Sequence, residues 1–136
     1  MLAGHLGHHP IESVTPVLQP ADLLAAQDAT SVVFVSSAVR EYVLSIAVAT
    51  RSHPAIALGC SPRGTLALMR SAQARAALVG RSHVTPDDVK MLAVPVMAHR
   101  LLLRPQVGKT PSAEEVIHEI VGSVPVPILE MPRANT

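Results

Sequence analysis

The sequence predicts an all-α domain, a small bundle of four or five helices behind an extended N-terminal leader. Apolar residues recur at helical spacing between Ser37 and Arg51. Ser61-Pro62 and Thr85-Pro86 repeat one helix-start grammar, a hydroxyl cap followed by a proline whose missing N–H costs nothing at the first helical position. No run alternates apolar and polar residues over a length that would make a sheet, and there is no internal repeat.

Each element follows from local chemistry. In residues 1–20 Gly4, Gly7, Pro10, Pro16 and Pro20 are dense enough to keep the chain extended, although Pro10-Ile11 and Val17-Leu18 could lie along a neighbouring surface. Ala21 to about Ala29 reads as a short helix: Pro20 opens it, Asp22 suits its positive end, and Leu23, Leu24 and Gln27 begin a periodic face. Val32-Val33-Phe34-Val35 reads as an extended link without a strand partner. From Ser37 to Arg51, Val39, Val43, Ile46 and Thr50 form one row, and Leu44 and Val48 predict burial on a second side. The next helix spans Ser61 to Val79, with Leu66, Met69, Ala72, Ala76 and Val79 as its expected packing face and Gly80 as its stop. Thr85 opens another, reaching about Leu102 with a kink near Pro95, whose ring blocks the bond to the Met91 carbonyl. Ser112 and Glu115 form a capping box for a last helix ending near Gly122-Ser123. Residues 21–104 are therefore the helical domain, and residues 105–136 a C-terminal helix with a proline-containing tail.

At 136 residues and 14.3 kDa the chain has room for one core. Apolar residues are 49% and charged residues only 15%, against roughly 25% in an ordinary soluble domain, so part of the surface is expected to be covered by something else. A net charge of +1 disfavours nucleic-acid binding through Arg63, Arg70 and Arg75. With Cys60 the single cysteine, an internal disulfide and a cysteine-rich zinc site are excluded. The apolar stretch Tyr42–Thr50 is far short of the ~20 residues that span a bilayer. No charged segment precedes an apolar run at the N-terminus, so no secretory signal is expected and a cytoplasmic location is.

Arg63 is the sharpest local anomaly. It lies two residues past a helix cap, where exposed N–H groups already make the site positive, and a cation there is disfavoured by roughly 0.3–1 kcal/mol. A helix start with an added arginine can receive an anion such as phosphate, and Gly64 would give a ligand or another backbone room to approach; the alternative is an Arg63 that simply points into solvent beside a neutral Gly64. Arg70, seven residues on, faces roughly the same side and could extend a positive strip, though an ordinary solvated face is the better account of it. Arg51 and Arg100 read as basic groups at helix C-termini.

Other motifs fail. Gly108-Lys109-Thr110 lacks the glycine five residues earlier, where Leu103 stands, and any leading strand is interrupted by Arg104 and Pro105. Asp87-Asp88 and Glu114-Glu115 open helices rather than ending strands. The chain therefore has no phosphate-gripping loop and no strand-borne magnesium ligand, and alone is not expected to hydrolyse a nucleotide. His5, His8 and His9 sit on a glycine-rich leader and read as incidental, with no metal site expected. Cys60 reads as a buried or semi-buried small side chain.

Taken in order, Ala49-Thr50-Arg51, His53-Pro54, Leu58-Gly59-Cys60-Ser61-Pro62-Arg63, Gly80-Arg81, Val84-Thr85-Pro86-Asp87-Asp88-Val89 and His99-Arg100 resemble the C-terminal lid of MoxR-type AAA+ ATPases, to which magnesium-chelatase-type lids are related. Gly7, His9-Pro10-Ile11 and Pro16-Val17-Leu18 resemble the crossing from ATPase core to lid, and Val124-Pro125-Val126-Pro127 that family's usual end. The resemblance implies that Arg63 is the sensor-2 arginine, reaching the terminal phosphate of ATP, with Arg70 a secondary candidate. It also implies ATP and magnesium as cofactors of a longer protein, neither held tightly by this chain alone. The implied partners are the ATPase core of the same protein, neighbouring subunits of a ring, typically hexameric, and a von Willebrand A domain protein. The implied role is chaperone-like assembly or activation of protein complexes. The P-loop, magnesium-binding acids, sensor 1 and arginine finger of the family are absent, and Cys60 replaces a small residue, usually alanine. A different class of reading is a free-standing helical adaptor that binds protein partners without nucleotide.

Overall fold

The computed structural model describes residues 10–105 and 111–128. Gly4, Gly7, the histidines His5, His8 and His9, and Gly108-Lys109-Thr110 lie outside the described residues. A 3-10 turn at Pro10–Ser13 precedes five helices, α1 (Pro20–Ser31), α2 (Ser37–Ser52), α3 (Pro62–Leu78), α4 (Pro86–Met97) and α5 (Ala113–Ser123). Two short strands, β1 (Ile56–Leu58) and β2 (Leu102–Leu103), pair antiparallel. The all-α class holds, with that small pairing as its one regular exception among the described residues.

The caps are those the residue types dictate. Ser36, Ser61, Thr85 and Ser112 each accept a hydrogen bond from the backbone N–H three residues on. α3 stops at Gly80, whose φ of 73° suits a residue without Cβ, and the Arg81 N–H closes the end on Ala76 O at 2.8 Å.

The core lies between α2, α3, α4 and α5. Val39, Val43 and Ile46 of α2 are buried with Leu68, Ala72 and Ala76 of α3, Val89, Ala93 and Met97 of α4, and Val116, Ile117 and Ile120 of α5. α3 packs most extensively on α4, where small residues such as Ala72, Ala76 and Ala93 permit close approach. No residue of α1 is buried, and Leu23 and Leu24 of its expected periodic face stay exposed among the described residues; α1 leans on α3, and Gln73 of α3 holds its exit by donating to Val33 O at 2.9 Å.

Several expectations need correction. Leu44 and Val48 are exposed, so α2 buries one side. The packing face of α3 is Gly64, Leu68, Ala72 and Ala76, an i, i+4 row, while Leu66 and Val79 stay exposed. α4 ends at Met97, two residues beyond Pro95, and passes through a 3-10 turn (Ala98–Arg100) into β2 instead of continuing to Leu102. β1 and β2 were too short to leave an alternating signature. The Phe34 link does find a partner: Phe34 N donates to Ser82 O at 2.9 Å and Val84 N to Phe34 O at 3.0 Å, a parallel bridge to His83.

Candidate functional site

The site is the N-terminus of α3 and what holds it. Ser61 caps the helix through Gly64 N at 3.2 Å, Pro62 takes the first position and Arg63 the second. Arg63 is exposed, and among the described residues its guanidinium has no hydrogen-bond or carboxylate partner. The first turn of α3 contains no acid to offset its positive end.

Two further arginines converge here. Arg51, at the end of α2, donates from Nε to Cys60 O at 3.0 Å. Arg100, in the 3-10 turn after α4, donates from Nε to Val96 O at 2.8 Å, and its Cδ lies 3.4 Å from where a Cβ on Gly64 would stand. Both do sit at helix ends, as their sequence positions implied, but folding brings those ends beside α3. Neither shows an ion pair with a carboxylate among the described residues.

Gly64 does not leave room for a ligand, contrary to the expectation from sequence. It is buried, and a Cβ there would meet Cys60 Sγ at 2.5 Å. Cys60 itself is 1% exposed, as anticipated for a packing thiol. Burial pushes that thiol up, against the opposing pull of the Thr65 hydroxyl and the Arg51 and Arg100 charges. The small side chain at position 64 is thus matched to sulfur beneath it.

Arg70 is exposed on α3, two turns from Arg63, so ~10 Å separates their backbones along the axis. Arg75 belongs elsewhere. Its Nε stands 3.1 Å from Asp88 Oδ1, an ion-pair distance without hydrogen-bond alignment. Arg81 grips the same carboxylate with both terminal nitrogens, at 2.7 and 2.5 Å. Asp88 also accepts from Thr85 N and Oγ1, both at 2.8 Å. Burial alone would push the Asp88 carboxyl up, yet these bonds hold it at about 2. The Gly80-Arg81 and Thr85–Asp88 motifs therefore build a buried ionic staple between α3 and α4. Arg75 is spent in it, which removes one of the three arginines considered for nucleic acid.

A groove of about 240 Å³ between α2 and the tail, lined by Glu41, Tyr42, Ser45, Val124 and Pro127 among others, gathers no group of metal-binding side chains. No such group of three or more occurs among the described residues. No helix among them is long and apolar enough to cross a membrane.

Comparisons with known proteins converge on the same region. The family described as AAA lid domain matches residues 48–120, which contain α3, α4 and most of α5. The uncharacterised protein YeaC of Bacillus subtilis is 40% identical over 88% of this chain and 38% of its own. Protein MoxR of Paracoccus denitrificans is 35% identical over 68% of this chain and 32% of its own, and chaperone MoxR1 of Mycobacterium tuberculosis 31% over 82% and 32%. The chain thus spans roughly a third of the length of these curated relatives. A crystal structure of a candidate ATPase from Cytophaga hutchinsonii superposes with a TM-score of 0.71 at 24% identity, over 79% of this chain and 36% of that one, a likeness of fold.

Proposed function

The chain belongs to the AAA lid domain family in its MoxR-type form, and from that premise we propose that it serves as the lid of a longer ATP-hydrolysing protein, with Arg63 as the sensor-2 arginine. The observation that carries this reading is a guanidinium at the second position of a helix, exposed and without a partner among the described residues, where the helix terminus itself favours an anion. Such a group has no ion pair among the described residues to break when a phosphate presented by another surface comes to it, and a guanidinium is more weakly hydrated than an ammonium.

The residues fit the phosphate end of ATP and not its metal. Arg63 would meet a terminal phosphate oxygen, with Arg51 and Arg100 adding positive potential and Arg70 a supporting contact further along α3. No residue of this chain is assigned to magnesium, which would be held by the ATPase core together with the remaining phosphates. Bound there, magnesium would supply neutralisation of phosphate charge; the part of this chain is to sense whether the terminal phosphate is present and to move with it. In the intact cytoplasmic protein that movement would pass through a ring of subunits, hexameric in our reading, to a client complex, in a chaperone-like role beside a von Willebrand A domain partner. Similarity to a protein named chaperone MoxR1 supports the chaperone part.

The test is kinetic. In the intact protein, Arg63→Ala is expected to lower ATP turnover about tenfold or more, the equivalent of losing one charge-assisted hydrogen bond of roughly 1.5–3 kcal/mol. Arg63→Lys recovers part of it, because a point charge lacks the planar fork. Wild-type turnover in Arg63→Ala ends the assignment and favours the helical adaptor that works without nucleotide.

A further inference from the structure

Arg63 can report on a phosphate only if the helix that carries it is aimed. α3 is anchored along its length by Leu68, Ala72 and Ala76, but its first turn is held by other means. Thr50 is fully buried in the apolar row of α2, an odd place for a hydroxyl. Both of its hydrogen-bonding roles are filled: Oγ1 donates to Ala47 O at 2.6 Å and accepts from Cys60 N at 2.8 Å. The next residue, Arg51, donates to Cys60 O at 3.0 Å. Two consecutive residues of α2 thus answer the N–H and the C=O of one residue, immediately before the Ser61 cap. Gly59 lets this happen, since a Cβ there would stand 2.8 Å from Arg51 N and Cα.

Resting on the reading of Arg63 given above, we infer that Thr50 and Arg51 are positioning residues for it: the Cys60 peptide groups are the fixed point from which the first turn of α3 is aimed. Neither needs to touch ATP. Arg63 stands three residues beyond the clamp, so a shift of the Cys60 backbone is carried directly to its Cα, and a misplacement of ~1 Å can cost up to a hundredfold in rate. Thr50 acts through geometry, and Arg51 through its Nε–H in addition to its charge.

The experiment is a double-mutant cycle on kcat/KM for ATP in the intact protein. Thr50→Val keeps the shape and removes the hydroxyl; it is expected to lower kcat/KM about tenfold when Arg63 is present and less than about twofold in the Arg63→Ala background. Thr50→Ser, which restores the hydroxyl, brings the rate back to within about threefold of wild type. Arg51→Lys keeps the charge and loses the aimed Nε–H, so it follows the same dependence on Arg63 and decides the matter if Thr50→Val does not fold. Equal fold-losses in both backgrounds overturn the positioning role while leaving Arg63 its own. An Arg63→Ala protein with undiminished turnover overturns the reading of Arg63 and this inference with it.

Discussion

Asp88 concentrates more polar chemistry than any other described side chain. It is 2% exposed and takes bonds from Arg81, Thr85 N and Thr85 Oγ1, with Arg75 alongside. Its carboxyl is held at about 2, below the ordinary 3.8, so folding is favoured by the ionised form. That contribution is complete above pH 3.8, shrinks as pH falls toward about 2, and amounts to ~2 kcal/mol. Urea melts of the wild type between pH 5 and pH 2.5 are expected to show this loss. Asp88→Asn should be destabilised by about 3 kcal/mol at pH 7, having left two arginines around a neutral group, and its stability should vary less across the same acid range. Arg63 is the opposite kind of residue, a cationic side chain that nothing among the described residues answers, and its substitution should leave melting unchanged within ~0.5 kcal/mol while the turnover of the intact protein falls.

At the scale of elements, α3 is defined by its two ends. The C-terminal end is finished locally, by Gly80 and the Arg81-to-Ala76 bond. The N-terminal end has its local Ser61 cap and is then fixed by other elements, with α2 supplying Thr50 and Arg51 and the 3-10 turn after α4 supplying the Arg100 stem over Gly64. Gly64→Ala therefore forces its methyl against Cys60 Sγ and is expected to cost about 1–3 kcal/mol in a denaturant melt. Combining it with Cys60→Ala, which withdraws the sulfur, should recover much of that loss; strictly additive losses would show that the sulfur is not the obstacle.

For the whole molecule, the apolar content divides between a closed core and an open exterior. Ile46 is fully buried while Leu44 and Val48, on the same helix, are half exposed; the paired strands turn Leu58 and Leu102 outward together, at 65% and 61% exposure. Ile46→Ala should cost ~2–5 kcal/mol, whereas Leu44→Ser should change stability by no more than ~0.5 kcal/mol. The chain should also bind a hydrophobic dye, and Leu58→Thr with Leu102→Thr should reduce that binding without lowering the melting temperature.

What could be read in the residues and what could not follow one physical line. Helix starts were legible because Ser61-Pro62, Thr85-Pro86 and Ser112 with Glu115 act within one turn, on neighbours three residues away. Arg63 was legible as an exception to the charge rule at a helix terminus for the same reason, and Cys60 as a packing thiol because a free cysteine usually behaves as a small buried hydrophobe. Thr50 had a visible signal, a hydroxyl in an apolar row, though nothing in sequence named its partner ten residues away. The two strands were not legible, since two or three residues carry no period. Nor was the exposure of Leu44, Val48 and Leu66: periodicity marks a residue as apolar, and only packing decides whether anything covers it. The sequence by itself determined the helices, their caps and the family, because these depend on local hydrogen bonding and on residue order. Tertiary structure alone decided that Arg51 and Arg100 reach the N-terminal end of α3 while Arg75 serves Asp88, because those contacts are set by how separate helices dock.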